Sequence, residues 1–228
     1  MPLPVYFVQP PGLSPPPGTL CLCGWFAAPD GSLSMPPAPE HAEALVFDDR
    51  GSLPDRFEPV IEEILKAKAE IAASFVVLDL ERAPTTTSLS FVKSLSKICR
   101  VVAPAPYCRD NEAEPIFCYC PRKETYGEFT QRINVPNAWL ELRPVDEILF
   151  YPLAGTAHIE HTSECFSEIL QCYYRAKSTS QGLHLHFYDT PESLLHRSTA
   201  LSPKLMAAIG LHNELRDYGF GSVIERAV

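Results

Sequence analysis

The chain has 228 residues and a formal charge of -9, from 19 Lys and Arg against 28 Asp and Glu. That acidic balance excludes a nucleic-acid partner, whose phosphates need a positive surface to replace their counterions. The length suits one α/β domain, no stretch is long and apolar enough to span a membrane, and no basic, apolar leader opens the chain, so a cytoplasmic location is expected.

In that compartment the eight cysteines read as thiols rather than disulfides. Eleven of the first 39 residues are proline, which rules out a regular helix before His41. Residues 1–40 are therefore expected to wrap the surface of a single domain built from 41–228, with Leu20 to Phe26 the one strand-like piece in the second half of that segment.

From Ala44 onward, apolar strands alternate with amphipathic helices, the pattern of βαβ units on a parallel sheet. A strand from Ala44 to Asp49 leads to a helix with Phe57, Val60, Ile61, Ile64, Leu65 and Ile71 at helical spacing, and Ser52 with Asp55 resembles its capping box. The strand Ser74 to Glu81 follows, then a helix carrying Leu89, Val92, Leu95 and Cys99, started by Pro84 and Thr85 to Thr87. A strand from Arg100 to Pro106 comes next. Only Tyr107 to Glu114 separates it from Pro115 to Cys120, too little for a helical crossover.

A helix from about Glu124 to Ile133 precedes a strand from Ala138 to Arg143, and a short gap leads to another from Glu147 to Tyr151. The spacing of Phe166, Ile169, Leu170, Tyr173 and Tyr174 predicts a helix feeding a strand from Leu183 to Tyr188. A last helix is expected from Ser202-Pro203 to Gly219, with Leu205, Ile209, His212 and Leu215 in line. Up to eight strands point to an irregular or shortened (β/α)8 TIM-type barrel, with an open parallel sheet as the competing architecture.

Chemistry in such folds gathers at the C-terminal strand ends. Asp79 and Glu81, two residues apart, share one face of their strand. With Asp48, Asp49, Tyr107, Glu141, Tyr151, Tyr188 and Asp189 they would line an acidic, aromatic mouth, which suits a carbohydrate better than a phosphate.

His184-Leu185-His186 puts two imidazoles on one face of a strand, as a metal-dependent hydrolase would need, but histidines facing solvent or helix caps are the simpler reading. Cys21-Leu22-Cys23 and Cys118-Tyr119-Cys120 lack the Cys-x-x-Cys spacing of zinc knuckles, and His158-Ile159-Glu160-His161 reads as a loop or cap, so no metal is expected. No Gly-rich phosphate loop or Gly-x-Ser-x-Gly elbow is present.

Phe75-Val76-Val77-Leu78-Asp79-Leu80-Glu81 resembles the fourth-strand region of the family 18 glycoside hydrolases, the chitinase-like barrels, and Arg100 to Tyr107 is similar to their fifth strand. The resemblance is strongest over residues 44–107. Within the family pattern D-x-x-D-x-D-x-E, Glu81 matches the general acid and Asp79 the aspartate that steers the N-acetyl group, while Ser74 and Val77 stand where two further aspartates belong.

Leu149-Phe150-Tyr151-Pro152 is similar to the family's Met-x-Tyr-Asp strand, with Tyr151 as the acetamido clamp and Pro152 in place of the aspartate. The resemblance implies a glycosidase acting on an N-acetylated glycan without a cofactor. The missing aspartates leave open a catalytically inactive barrel that serves as a glycan-binding or interaction module.

Overall fold

The computed structural model describes residues 3–8, 20–27, 33–34, 42–50, 53–152, 163–211, 215–216 and 219–220, with the backbone alone for 20–27 and 33–34. Eight strands pair side by side in parallel: β1 (Val5–Val8), β2 (Leu20–Ala27), β4 (Ala44–Asp48), β5 (Phe75–Asp79), β6 (Val101–Pro104), β7 (Glu114–Phe117), β8 (Trp139–Glu141) and β13 (Ala207–Leu211). Because β13 and β2 both flank β1, the ring closes, and the fold is a (β/α)8-type barrel. A two-residue β3 (Leu33–Ser34) lies antiparallel on β2.

The first two barrel strands thus come from the proline-rich segment expected to wrap the surface. Neither Val5–Val8 nor Leu20–Ala27 contains a proline, so the ladder hydrogen bonds that proline would forbid are available there.

Alternation in the closed ring divides the apolar residues into two layers. Tyr6, Val8, Ala44, Val46, Phe75, Val77, Val102, Ile116, Trp139, Ala207 and Ile209 fill the interior. Leu45, Phe47, Val76 and Leu78 face outward onto α1 (Glu58–Glu70) and α2 (Thr86–Ser96), where they meet Val60, Ile61, Ile64, Phe91, Val92 and Leu95. Helix α2 starts where expected, with Thr85 and Ser88 forming a reciprocal capping box. Helix α1 instead begins after Phe57 with no side-chain cap and Pro59 in its first turn. Ser52 lies outside the described residues.

Aromatic side chains close the N-terminal end of the barrel. Tyr6, Phe75 and Trp139 have mutual ring-centroid distances of 5.2 to 5.4 Å. Below them the Arg100 guanidinium makes a two-pronged ion pair with Glu114, at 2.8 and 3.0 Å, and lies 5.1 Å from the Phe75 ring centre. Trp139 Nε1 donates to the same carboxylate at 2.7 Å. Among the described residues the C-terminal end carries the exposed Asp79 and Glu81 instead of such a plug.

Between β6 and β7 the chain makes only a 3-10 turn, Ala105–Tyr107, in place of a helix, as the short spacing predicts. Helix α3 (Tyr126–Arg132) follows β7, capped by Thr125 and Glu128.

After β8 the chain leaves the barrel altogether. It forms a four-stranded antiparallel sheet from β9 (Asp146–Pro152), β10 (Cys165–Ser167), β11 (Cys172–Thr179) and β12 (Gly182–Tyr188) in the order β10-β11-β12-β9. Helix α4 (Pro191–Leu201) then returns it to β13. Three expectations fail here. The strands expected at Glu147 to Tyr151 and Leu183 to Tyr188 belong to this antiparallel sheet and not to the barrel. The Phe166 to Tyr174 segment is a strand, turn and strand rather than a helix, its apolar spacing interrupted by the turn at 168–171. Within the helix expected over 202–219, Ala207–Leu211 is instead the eighth barrel strand, which is buried along Ala207–Gly210 and so shows no alternation, and only residues 215–216 are helical among those described beyond it.

The small interior makes a test possible. Phe75→Ala should lower the unfolding free energy by about 3–5 kcal/mol, read by chemical denaturation, because the plug cannot collapse around the void. A loss below about 1 kcal/mol would contradict a filled barrel interior.

Candidate functional site

Strand β5 is the fourth of the eight in the ring, counting from β1, and Asp79 ends it. Phe75 and Val77 occupy the interior, so the same alternation turns Asp79 inward at the C-terminal end, above an apolar floor of Val77 that is 3% exposed. On the neighbouring strand Asp48 stands in register with Asp79, and its Oδ1 accepts a hydrogen bond from the Arg50 amide at 2.7 Å. Glu141 ends the seventh strand above interior Trp139. Three of the expected carboxylates are therefore brought together by strand parity alone.

Their mutual repulsion is visible in Asp79. The residue is exposed, directly beyond the buried Leu78. Burial first, then the charges of Asp48, Glu141, Glu81 and Asp49, push its pKa from 3.8 up to about 6.

The backbone beyond Asp79 is held from two sides. The Asp49 amide donates to the Asp79 carbonyl at 3.2 Å, and Asp49 Oδ1 accepts from the Glu81 amide at 3.3 Å. The Tyr107 hydroxyl donates to the Arg82 carbonyl, and its ring is packed among the outer-layer residues facing α2. Asp49 and Tyr107 are both buried, so they do not line the mouth surface as expected. They fix the loop that carries Glu81, which is itself exposed.

The three residues placed further along the chain fare differently. Tyr151 and Tyr188 lie on β9 and β12 of the inserted sheet and not on barrel strands. The Tyr188 hydroxyl is bonded to Glu164 and accepts from Arg175 Nε at 3.1 Å. Asp189 is buried at the root of the insertion, paired with Arg197, and has no free oxygen for a ligand. A carboxylate after a strand looked like a mouth residue, but the strand is not part of the barrel.

Spacing did not single out Cys118, whose thiol lies beside Glu141 at the end of β7. Burial chiefly, then Glu141, raises its pKa. The alternation of Cys118 and Cys120 held the signal: Cys118 faces the mouth, and Cys120 Sγ donates to Glu147 of the insertion at 3.1 Å.

His184 and His186 share one face of β12. His184 packs on Phe150 with ring centres 4.8 Å apart, and His186 Nε2 pairs with Asp146 at 2.6 Å. Among the described residues no group of three His, Cys, Asp or Glu has metal-binding geometry, and no helix is long and apolar enough to cross a membrane. The side chains of Cys21 and Cys23, and all of His158–His161, lie outside the described residues. Where the helix between β6 and β7 is missing, a recess of about 470 Å³ opens on the barrel flank, lined by Ala105, Cys108, Phe117, Arg132 and Val135, apart from the carboxylates.

No protein-family model and no curated protein matches the sequence. The fold does match solved structures. The Bacillus cereus spore cortex-lytic enzyme SleL is 10% identical, with a TM-score of 0.60 over 99% of this chain and 73% of that one. The class V chitinase from Nicotiana tobaccum, in complex with NAG4, is 9% identical with a TM-score of 0.58 over 100% and 99%. The chitinase-like agglutinin from Robinia pseudoacacia is 13% identical with a TM-score of 0.60 over 99% of both chains. The architecture is that of the chitinase-like barrels, as the resemblance implied.

The raised Asp79 carboxyl predicts a pH-dependent stability. Its folded-state pKa lies above the unfolded one, so its stabilising contribution is complete below 3.8 and lost as the pH rises through about 6. Asp79→Asn should match the wild-type melting temperature near pH 4 and exceed it near pH 7.5, measured by calorimetry. A difference between the two proteins that stays constant across that range would refute the clustered charges.

Proposed function

We propose that this barrel acts on or binds an N-acetylated glycan at its C-terminal mouth, with Glu81 as general acid and Asp79 as its partner. The observation that carries the reading is the inward placement of Asp79 at the end of the fourth strand, among carboxylates that raise its pKa to about 6. A carboxyl that titrates there can exchange a proton with a neighbouring group more readily than an ordinary aspartate. Glu81, two residues on and exposed, is the group that would protonate a glycosidic oxygen.

Asp79 would orient the acetamido group beside it, and Asp48 and Glu141 would accept hydrogen bonds from sugar hydroxyls. Asp49 and Tyr107 contribute by fixing the Glu81 loop. Tyr151 stands on β9 of the inserted sheet and is assigned no role in this reading. The NAG4 bound to the tobacco chitinase supports an oligosaccharide of this class as the ligand.

A second reading, glycan binding without cleavage, is favoured by Val77. Its apolar side chain fills the floor below Asp79 where the resembling enzymes carry another aspartate, so proton transfer between the two levels is lost. The agglutinin among the similar folds fits a binding role.

Glu81→Gln separates the two readings. If the protein is a hydrolase, the substitution should reduce turnover of a chromogenic N-acetylglucosaminide by at least about a hundredfold while NAG4 binding, measured calorimetrically, persists. Wild-type protein that binds NAG4 but turns over no substrate is a glycan-binding module, and wild-type protein that does neither overturns both readings.

A further inference from the structure

We propose that Arg197 is a positioning residue that latches the inserted sheet beside the barrel mouth. Besides the Cys120 to Glu147 contact, the insertion is attached at its root and at its far turn. Its root is closed where the Asp189 amide donates to the Val145 carbonyl at 2.9 Å and the Val145 amide donates to Asp189 Oδ2 at 2.8 Å. Its far turn, between β10 and β11, returns to the barrel and presents three consecutive carbonyls to three barrel donors. The Ile169 carbonyl accepts from the Tyr126 amide at 3.1 Å, that of Leu170 from the Tyr119 hydroxyl at 2.7 Å, and that of Gln171 from Arg197 Nη1 at 3.1 Å.

Arg197 joins both attachments. Its guanidinium grips Asp189 with Nη1 to Oδ1 at 2.8 Å and Nη2 to Oδ2 at 2.5 Å, and it lies 5.0 Å from the Tyr119 ring centre. With Ser193 Oγ donating to Oδ1 at 2.8 Å, the Asp189 carboxylate accepts four hydrogen bonds and its capacity is filled. The side chains of the pair are 4% and 0% exposed, so no water competes for these bonds.

A sheet held only at its root would pivot, whereas one held also at its far turn is fixed. The supported edge is the one that matters for the mouth. Tyr119 lies between Cys118, which faces Glu141, and Cys120, which donates to Glu147 of β9. The sheet is thus stationed against the loop after the sixth barrel strand and follows directly from the seventh. The effect of the latch on ligand rests on the glycan reading above, while the latch itself does not.

Arg197→Lys is the discriminating variant, since an ammonium can keep the charge opposite Asp189 but has no planar fork to reach Gln171 as well. Tyr119→Phe removes the Leu170 bond alone and leaves the buried pair intact. Amide hydrogen exchange read by mass spectrometry should rise about tenfold in β10 and β11 of the lysine variant, the loss of one charge-assisted hydrogen bond, and less in Tyr119→Phe, while β5 and β6 remain as protected as in wild type.

Cys120 should react correspondingly faster with iodoacetamide, and NAG4 affinity should weaken about tenfold with the mouth carboxylates untouched. Exchange that is unchanged in both variants, or that rises equally in the barrel strands, overturns the latch. Exchange that rises with NAG4 affinity unaltered overturns its role at the mouth. Wild-type protein that fails to bind NAG4 refutes the glycan reading instead, and the exchange and thiol measurements still decide the latch.

Discussion

A closed ring of parallel strands imposes one constraint from which most of this molecule follows: along each strand every second residue must enter an interior too small for anything but side chains. The chain meets that demand with Ala44, Val46, Val77, Val102, Ala207 and Ile209 around the Tyr6, Phe75 and Trp139 rings. The same parity, carried one step past the apolar layers, delivers Asp48, Asp79 and Glu141 to the C-terminal end. At the opposite end Arg100 and Glu114 lie beneath the aromatic rings. The carboxylates crowd there because the fold leaves them no other direction, and their repulsion is expressed as the raised proton affinity of Asp79.

How much of this was legible in the sequence depended on whether a segment's neighbours in space were also its neighbours in sequence. Residues 44–107 were readable because each strand there packs on the helices beside it in sequence, so hydrophobic spacing reports the contact directly. Val5–Val8 is short and follows Pro4, and its parallel partners are Leu20–Ala27 and the distant Ala207–Leu211, so local composition pointed to a surface strap. The inserted sheet departs from its local pattern for a different reason. Phe166 and Tyr173 are cross-strand partners in a hairpin, and a hairpin with a short turn can bring apolar residues to intervals of three and four without any helix.

The placement of the candidate residues is legible to the same extent as the strands. Asp48, Asp79 and Glu141 each end a true barrel strand, and Glu81 follows one. Asp189 shows the limit of that inference. It too follows an apolar strand, yet an arginine eight residues later on α4 neutralises it in the interior. Nothing in the local sequence distinguishes a carboxylate that awaits a ligand from one already satisfied. That distinction depends on which side chains the topology brings opposite it. Asp49 and Tyr107 belong to the same lesson, being needed near the mouth but turned toward the backbone that shapes it.

The two mutual hydrogen bonds between Val145 and Asp189 have a consequence for how such a barrel can be elaborated. The chain departs from and rejoins the scaffold at a single point, so the whole excursion between those residues is topologically a loop, however much structure it contains. Its length and contents are free to change without altering the register of any barrel strand. A family of proteins could therefore keep one cup and exchange what stands at its rim, so that new ligand preferences arise by replacing a cassette rather than by rebuilding the core.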